Sequence, residues 1–330
     1  MKARWPVEIA GTGSYTPEKI VTNDDFAKYL DTSDEWITQR TGIRQRRIAA
    51  EDESTLDLSA AASRAALEQA GMQPADIDLI VHATATPEHP LPSTACELQS
   101  TLGCGWIPAF DIAAACSGYV YALVNAANFI QAGMARNVLL VGSETLTRIT
   151  DMEDRATAIL FGDGAGAAIL RPSSDPEQGI VAARLGADGS RARAIYVPAG
   201  GSAEPASVRT VNERLHYMKM NGRAIYKFAV NMMSSLVAET AEEAGVPLAD
   251  LALVVPHQSN LRIIESAAER IGLPMERVAV NIDRYGNTSA ASIGIVLDEA
   301  LRSGRVGRGD LVMLVAFGAG LTWASALIRL

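Results

Sequence analysis

The sequence predicts an α/β fold in which two similar halves pack back to back as five layers, α/β/α/β/α. Three observations carry that expectation. Ala70-Gly71, Ala75-Asp76 and Leu79-Ile80-Val81 return in the same order and spacing as Ala244-Gly245, Ala249-Asp250 and Leu253-Val254-Val255. Val138-Leu139-Leu140-Val141 returns as Val312-Met313-Leu314-Val315, at the same offset that separates Gly71 from Gly245. The apolar runs are unbroken rather than alternating, as in strands covered on both faces, and this points to parallel sheets between helices.

Each repeat reads as a helix ending at Gly, a short turn and a buried strand. The polar stretch Arg171-Pro172-Ser173-Ser174-Asp175-Pro176 is a natural end for the first half. The expected organisation is therefore residues 1–175 and residues 176–330.

Composition narrows the function. The chain has 330 residues, 48% hydrophobic and 20% charged, enough for a substantial core. A formal net charge of −9 disfavours nonspecific nucleic-acid binding, which needs a basic footprint. No run of about 18 apolar residues is present, so no membrane span is expected. The N-terminus lacks the apolar segment of a secretory signal. Cys96, Cys104 and Cys116 form no CxxC pair, which argues against a disulfide framework and a metal site. A free reactive thiol suits a reducing cytoplasm.

Cys116 is the candidate nucleophile. It sits in Asp111-Ile112-Ala113-Ala114-Ala115-Cys116-Ser117-Gly118, ahead of a helical stretch from about Tyr119 to Ala132. A helix N-terminus stabilises thiolate over thiol, and small neighbours leave room for a substrate. His257 follows Leu253-Val254-Val255-Pro256, at the carboxyl end of a strand, where α/β folds place ligand-handling residues. Asn287 stands as far ahead of Gly304 as Cys116 stands ahead of Gly133. The expectation is that Cys116 and Asn287 occupy equivalent places and point into one central site from two helix N-termini. Taken singly, each has a structural reading: a buried inert thiol, a strand-closing histidine, and a turn or capping asparagine.

Phe317-Gly318-Ala319-Gly320 follows a buried strand and reads either as a tight turn or as backbone N–H groups approaching a substrate. It lacks the pattern of a P-loop. Gly162-Asp163-Gly164-Ala165-Gly166 lacks the strand–glycine–helix setting of a dinucleotide site, so a backbone packing role is expected for it.

These segments together resemble the β-ketoacyl-acyl carrier protein synthase III family of the thiolase-like superfamily. The likeness runs through Thr32 to Ile37 with Arg40 to Arg44, Asp111 to Gly118, Phe161 to Ala168, Pro256 to Arg262, Gly286 to Ser292, and Thr322-Trp323, in the family's order. It implies a Cys116-His257-Asn287 triad that takes an acyl group from acyl-CoA and condenses it with malonyl-acyl carrier protein, with loss of carbon dioxide. It implies an oxyanion hole from the N–H groups of Cys116 and Ala319, where a Gly is common. It further implies that Trp36 and Arg155 sandwich the CoA adenine with Arg40 near a phosphate. Gly222 and Asn260 would line the pantetheine tunnel, and Arg262 and Lys227 would meet the carrier protein. Leu91, where well-known members carry Phe, would cross the interface of a cytoplasmic homodimer and bound the primer pocket, leaving room for a longer or branched primer. Arg223 and Tyr226 depart from the expected tunnel pattern. No metal or permanently bound cofactor is implied. Two rival readings stand beside this one: a starter ketosynthase or acyltransferase of a secondary-metabolite pathway, and an inactive scaffold subunit.

Overall fold

A computed structural model describes residues 2–330. The first half builds a five-stranded sheet in the order Val7–Tyr15, Asp163–Pro172, Val138–Thr145, Leu79–Ala83, Ala109–Ile112. The second half builds a four-stranded sheet in the order Leu253–Pro256, Leu311–Gly318, Thr322–Arg329, Gly179–Ala187.

The repeat is visible in strand register. Leu79 pairs in parallel with Val138, and Leu253 pairs in parallel with Val312. Leu253 repeats Leu79 and Val312 repeats Val138, so the duplication preserves the pairing residue for residue. The repeated helices also end alike. Thr55–Ala70 stops at Gly71 with φ 65°, and Gly222–Ala244 stops at Gly245 with φ 67°. A left-handed turn at that place suits a residue without Cβ.

The sheets are mixed, which corrects the expectation of parallel ones. Leu311–Gly318 and Thr322–Arg329 are antiparallel neighbours, as are Val138–Thr145 and Asp163–Pro172. The turn between Gly318 and Thr322 is too short for a crossover, so it can join only antiparallel strands. Unbroken apolar runs report burial on both faces, and strand direction does not enter that signal.

Three packed cores hold the five layers together. One lies between the sheets and holds the central helices Gly118–Gln131 and Ala291–Arg302, with Tyr119, Val120, Leu123, Ile293 and Val296 buried against strands of both halves. Another packs Thr55–Ala70 and Thr94–Leu102 on the outer face of the first sheet. The third packs Gly222–Ala244 and Leu261–Arg270 on the outer face of the second. The glycine stretch takes the packing role: a Cβ on Gly166 would lie 2.5 Å from the Gly294 carbonyl carbon, and one on Gly162 2.3 Å from the Tyr285 oxygen. Among the described residues no helix is long and apolar enough to cross a membrane.

Candidate active site

Strand Ala109–Ile112 delivers the chain into a tight turn over Ala115–Ser117, and the helix begins at Gly118. Ala115 is held at φ 45°. Cys116, the next residue, lines a cavity of about 510 Å³. Its surroundings oppose the thiolate that a helix N-terminus favours. Burial is the largest cause pushing the thiol up to about 12, and the Glu144 carboxylate adds to it. The Ser289 hydroxyl acts in the opposite direction, but desolvation wins, so the resting group is the thiol.

His257 is the first residue past Leu253–Pro256 and continues the ladder by donating its N–H to Val315 O at 2.8 Å. The side chain lines the same cavity yet is only 2% exposed. Nδ1 lies 2.8 Å from Ser292 Oγ. The ring meets Phe317 edge-on, centroids 5.8 Å apart. Burial pushes its pKa down to about 3, so the imidazole is neutral. Gln258 pins the following loop. Its amide donates to Pro256 O and Ala279 O, and its oxygen accepts from the N–H groups of Asn281 and Ile282.

Asn287 also lines the cavity. Its backbone is clamped on both sides, donating to Leu160 O at 2.8 Å and accepting from Gly162 N at 3.0 Å. Its side-chain oxygen accepts from Ser289 N at 2.9 Å, which leaves the amide –NH₂ as the remaining polar end. Asn287 therefore serves the local turn through its oxygen while it lines the cavity.

The expected positional equivalence of Cys116 and Asn287 does not hold. Counting back from the closing glycines misregisters the halves, because the helix before Gly133 has 14 residues and the helix before Gly304 has 12. The strand offset pairs Ala115 with Ser289 instead. Cys116 and Asn287 still meet at one cavity, from non-equivalent turn positions.

Three polar neighbours of the cavity residues carry no signal of their own in the sequence. Ser289 has its hydroxyl within hydrogen-bonding reach of both Cys116 and Glu144. Glu144 is wholly buried and accepts from Thr86 Oγ1 at 2.7 Å and from Ala85 N at 3.1 Å. Ser292 holds His257. Ser289 and Ser292 lie in a run of small residues with no periodic signal, and Glu144 ends an apolar strand, so none of the three stands out by spacing.

The Gly-rich turn reaches the nucleophile. A Cβ on Gly318 would lie 2.7 Å from Cys116 N, so a side chain is excluded there. Thr322 Oγ1 lies 3.0 Å from both Ala114 O and Ala319 O, tying the two turns together. Ala319 lines the cavity.

Trp36, Arg40, Gly222 and Asn260 line the cavity, and Arg155 does not. The Arg40 and Arg155 guanidinium groups lie over the Trp36 ring, 4.6 and 5.1 Å from its centroid, and Arg155 also donates to Asp31 O at 2.7 Å. Asn260 joins two elements, donating to Arg40 O at 3.1 Å and capping Arg262 N at 2.9 Å. Arg262 and Lys227 are exposed and do not line the cavity. They flank Tyr226, which does, and whose hydroxyl lies 3.5 Å from Arg262 O. Leu91 is 87% exposed and contributes nothing to the cavity of its own chain.

Known proteins resemble this chain along its whole length. The family model described as 3-oxoacyl-[acyl-carrier-protein (ACP)] synthase III matches residues 110–189, and that of its C-terminal part matches residues 241–330. The chain is 52% identical over 329 residues to the beta-ketoacyl-[acyl-carrier-protein] synthase III of Xanthomonas campestris pv. campestris, covering 100% of both chains. It is 51% identical over 321 residues to the protein of that name from Caldanaerobacter subterraneus subsp. tengcongensis, covering 97% of each. The crystal structure of 3-oxoacyl-[acyl-carrier-protein] synthase III from Aquifex aeolicus superposes with a TM-score of 0.91 at 46% identity, covering 98% of this chain and 100% of that one. A cavity joining a thiol, a neutral imidazole and an amide, on a duplicated five-layered fold, together with these full-length likenesses, leads to one conclusion: the chain belongs to the beta-ketoacyl-[acyl-carrier-protein] synthase III family of condensing enzymes, which initiate fatty-acid synthesis.

Proposed function

We propose that Cys116, His257 and Asn287 carry out a two-stage condensation of a short acyl-CoA with malonyl-acyl carrier protein. The observation that supports this most is that all three line the cavity that Trp36 and Arg40 also line.

In the first stage Cys116 Sγ attacks the thioester carbonyl. The bond from the acyl carbon to the CoA sulfur breaks, and the Cys116 proton leaves with CoA as its thiol. Backbone N–H groups of Cys116 and Ala319 face the tetrahedral oxyanion, and losing one such donor typically costs roughly 10²–10³ in rate. In the second stage the malonyl carboxylate leaves as carbon dioxide, and the negative charge moves to the thioester oxygen. His257 Nε2–H and the Asn287 amide donate to that oxygen in a dry site, where such bonds are strongest. The carbanion then attacks the acyl carbon on Cys116. The sulfur leaves as thiolate and takes up one proton, giving 3-oxoacyl-acyl carrier protein and a free thiol.

Trp36, with Arg40 and Arg155, offers flat and cationic surfaces suited to an adenine nucleotide. Gly222 and Asn260 flank the path of the pantetheine arm. Arg262 and Lys227 supply local positive charge for an acidic carrier protein on a chain of net charge −9. The acting unit is a cytoplasmic homodimer, with each chain made of halves 1–175 and 176–330. Strand Ala109–Ile112 is an open sheet edge, and the exposed Leu91 and Trp106 belong to neighbouring loops. An unprotected edge beside apolar side chains fits pairing with a second copy, and Leu91 then bounds the partner's primer pocket.

The test is sequential. The protein is incubated with acyl-CoAs of increasing chain length and branching, and the mass added to Cys116 is measured. Malonyl-acyl carrier protein is then supplied and carbon dioxide release is followed. Acylation followed by release is expected. Acylation without release would sink the condensation reading. Turnover of acetyl-CoA with rejection of C4–C8 primers would sink the role given to Leu91.

A further inference from the structure

We propose that Ser292 is a positioning residue that fixes His257 in the tautomer carrying its proton on Nε2. The proposal rests on the reading of His257 as a hydrogen-bond donor in the decarboxylation.

Ser292 is the second residue of helix Ala291–Arg302 and is 1% exposed. Its Oγ is 2.8 Å from His257 Nδ1. The Gln258 backbone N–H approaches the same oxygen at 3.5 Å. An amide N–H can only donate, so it occupies a lone pair of that oxygen and leaves the hydroxyl hydrogen for another acceptor. The acceptor within reach is Nδ1. A neutral imidazole has one N–H, so with Nδ1 accepting, the proton sits on Nε2. The ring is not free to turn, because Phe317 packs edge-on against it and the Val315 and Gln258 contacts hold the backbone on both sides.

The choice of partner has a chemical consequence. A carboxylate at Nδ1 would favour a proton there and stabilise imidazolium, making Nε2 a base. A serine hydroxyl that is itself accepting from an amide leaves the ring neutral and makes Nε2 a donor. Burial acts in the same direction, since desolvation alone accounts for the lowered basicity of the ring. The site is thus built to polarise a carbonyl oxygen, and proton abstraction by His257 is disfavoured.

The direct test uses the intact protein with ¹⁵N-labelled histidine. The expected spectrum shows His257 with an unprotonated Nδ1 and a protonated Nε2 at neutral pH. A proton found on Nδ1 would overturn the proposal without any variant being made. Ser292→Ala supplies a second arm. Carbon dioxide release from malonyl-acyl carrier protein is expected to fall about 10- to 100-fold, short of the roughly 10²–10³ for deleting a donor. Acylation of Cys116 by acyl-CoA is expected to stay within about twofold. Equal loss in both half-reactions, or unchanged carbon dioxide release, would also overturn it. His257→Ala run in parallel tests the donor reading itself: unchanged decarboxylation in that variant removes the reading, whatever tautomer the wild type shows.

Discussion

Ala115 and Ser289 occupy matching places in the two halves and share one backbone twist, φ 45° and 46°, each just ahead of a central helix. For residues with a Cβ that conformation costs about 1–2 kcal/mol. The duplicated fold therefore keeps the same strained turn on both sides of its cavity. On one side it presents Cys116, and on the other it turns the Ser289 hydroxyl towards Cys116 and Glu144.

Relief of that strain separates stability from activity. Ala115→Gly is expected to leave unfolding free energy within about 1 kcal/mol of wild type, since lost strain and added chain entropy oppose each other. Acylation of Cys116 should slow severalfold as the turn loosens. Ala115→Val should lose about 2 kcal/mol or more, because a β-branched side chain fits poorly at positive φ. Urea melts and acyl-CoA loading on the two variants check this; equal stability of Gly and Val variants would refute it.

Glu144 raises the Cys116 thiol pKa, so removing its charge should lower it. Glu144→Gln is expected to speed alkylation of Cys116 by iodoacetamide at about pH 8–9, where more thiolate becomes available. The same change should cost about 1–3 kcal/mol of stability, because a glutamine –NH₂ would face the donors Thr86 and Ala85. An unchanged alkylation rate in a folded variant would show that the carboxylate does not act on the sulfur.

His257 makes a pH signature with a definite sign. Its folded-state pKa is about 3, below the ordinary histidine value of 6.5. Between those values the unfolded chain binds a proton that the folded chain refuses. Its contribution to stability therefore rises with pH across that window, at up to about 1.4 kcal/mol per pH unit, and is flat above it. His257→Gln should flatten that part of the stability curve. The decarboxylation step of the wild type should show no acidic limb near the ordinary histidine value, because the ring is already neutral there. A limb at that pH that vanishes in His257→Gln would contradict the burial argument.

Arg46 supports the wall that carries Trp36. It is fully buried, donates to Asn23 Oδ1 at 3.0 Å and Ile159 O at 2.7 Å, and lies over the Phe26 ring at 4.6 Å. Burial lowers its pKa to about 10, so it remains charged at neutral pH. Asn23 in turn donates to Asp34 Oδ1 at 2.8 Å, in the first turn of the helix that carries Trp36. Arg46→Ala is expected to cost about 3 kcal/mol, through a cavity and unpaired buried acceptors. The KM for acyl-CoA should rise more than kcat falls. Thermal melts and steady-state kinetics decide it, and a loss confined to kcat would place Arg46 elsewhere in the reaction.

How much of this was legible in the sequence follows the range of each signal. Helix ends at Gly71, Gly133, Gly245 and Gly304 and the apolar strands Leu79–Ala83 and Val138–Thr145 were readable because local sterics and periodicity mark them. Cys116, His257 and Asn287 were readable through their motifs. Counting back from the glycines misplaces Asn287 in the repeat, because helix length changes between halves while strand register does not. Ser292 and Glu144 were invisible, because their meaning lies in which atom of another segment they face.

A duplicated α/β chain, its glycine stops, its buried strands and the three residues proposed to carry its chemistry can all be read from the order of amino acids. These follow from short-range backbone sterics and from the free energy of burying apolar runs. Strand direction, the protonation of the Cys116 thiol and the His257 ring, and the partners around them emerge from the folded chain. Those depend on desolvation and on hydrogen bonds between residues far apart in the chain, which exist only once the two halves have closed on each other.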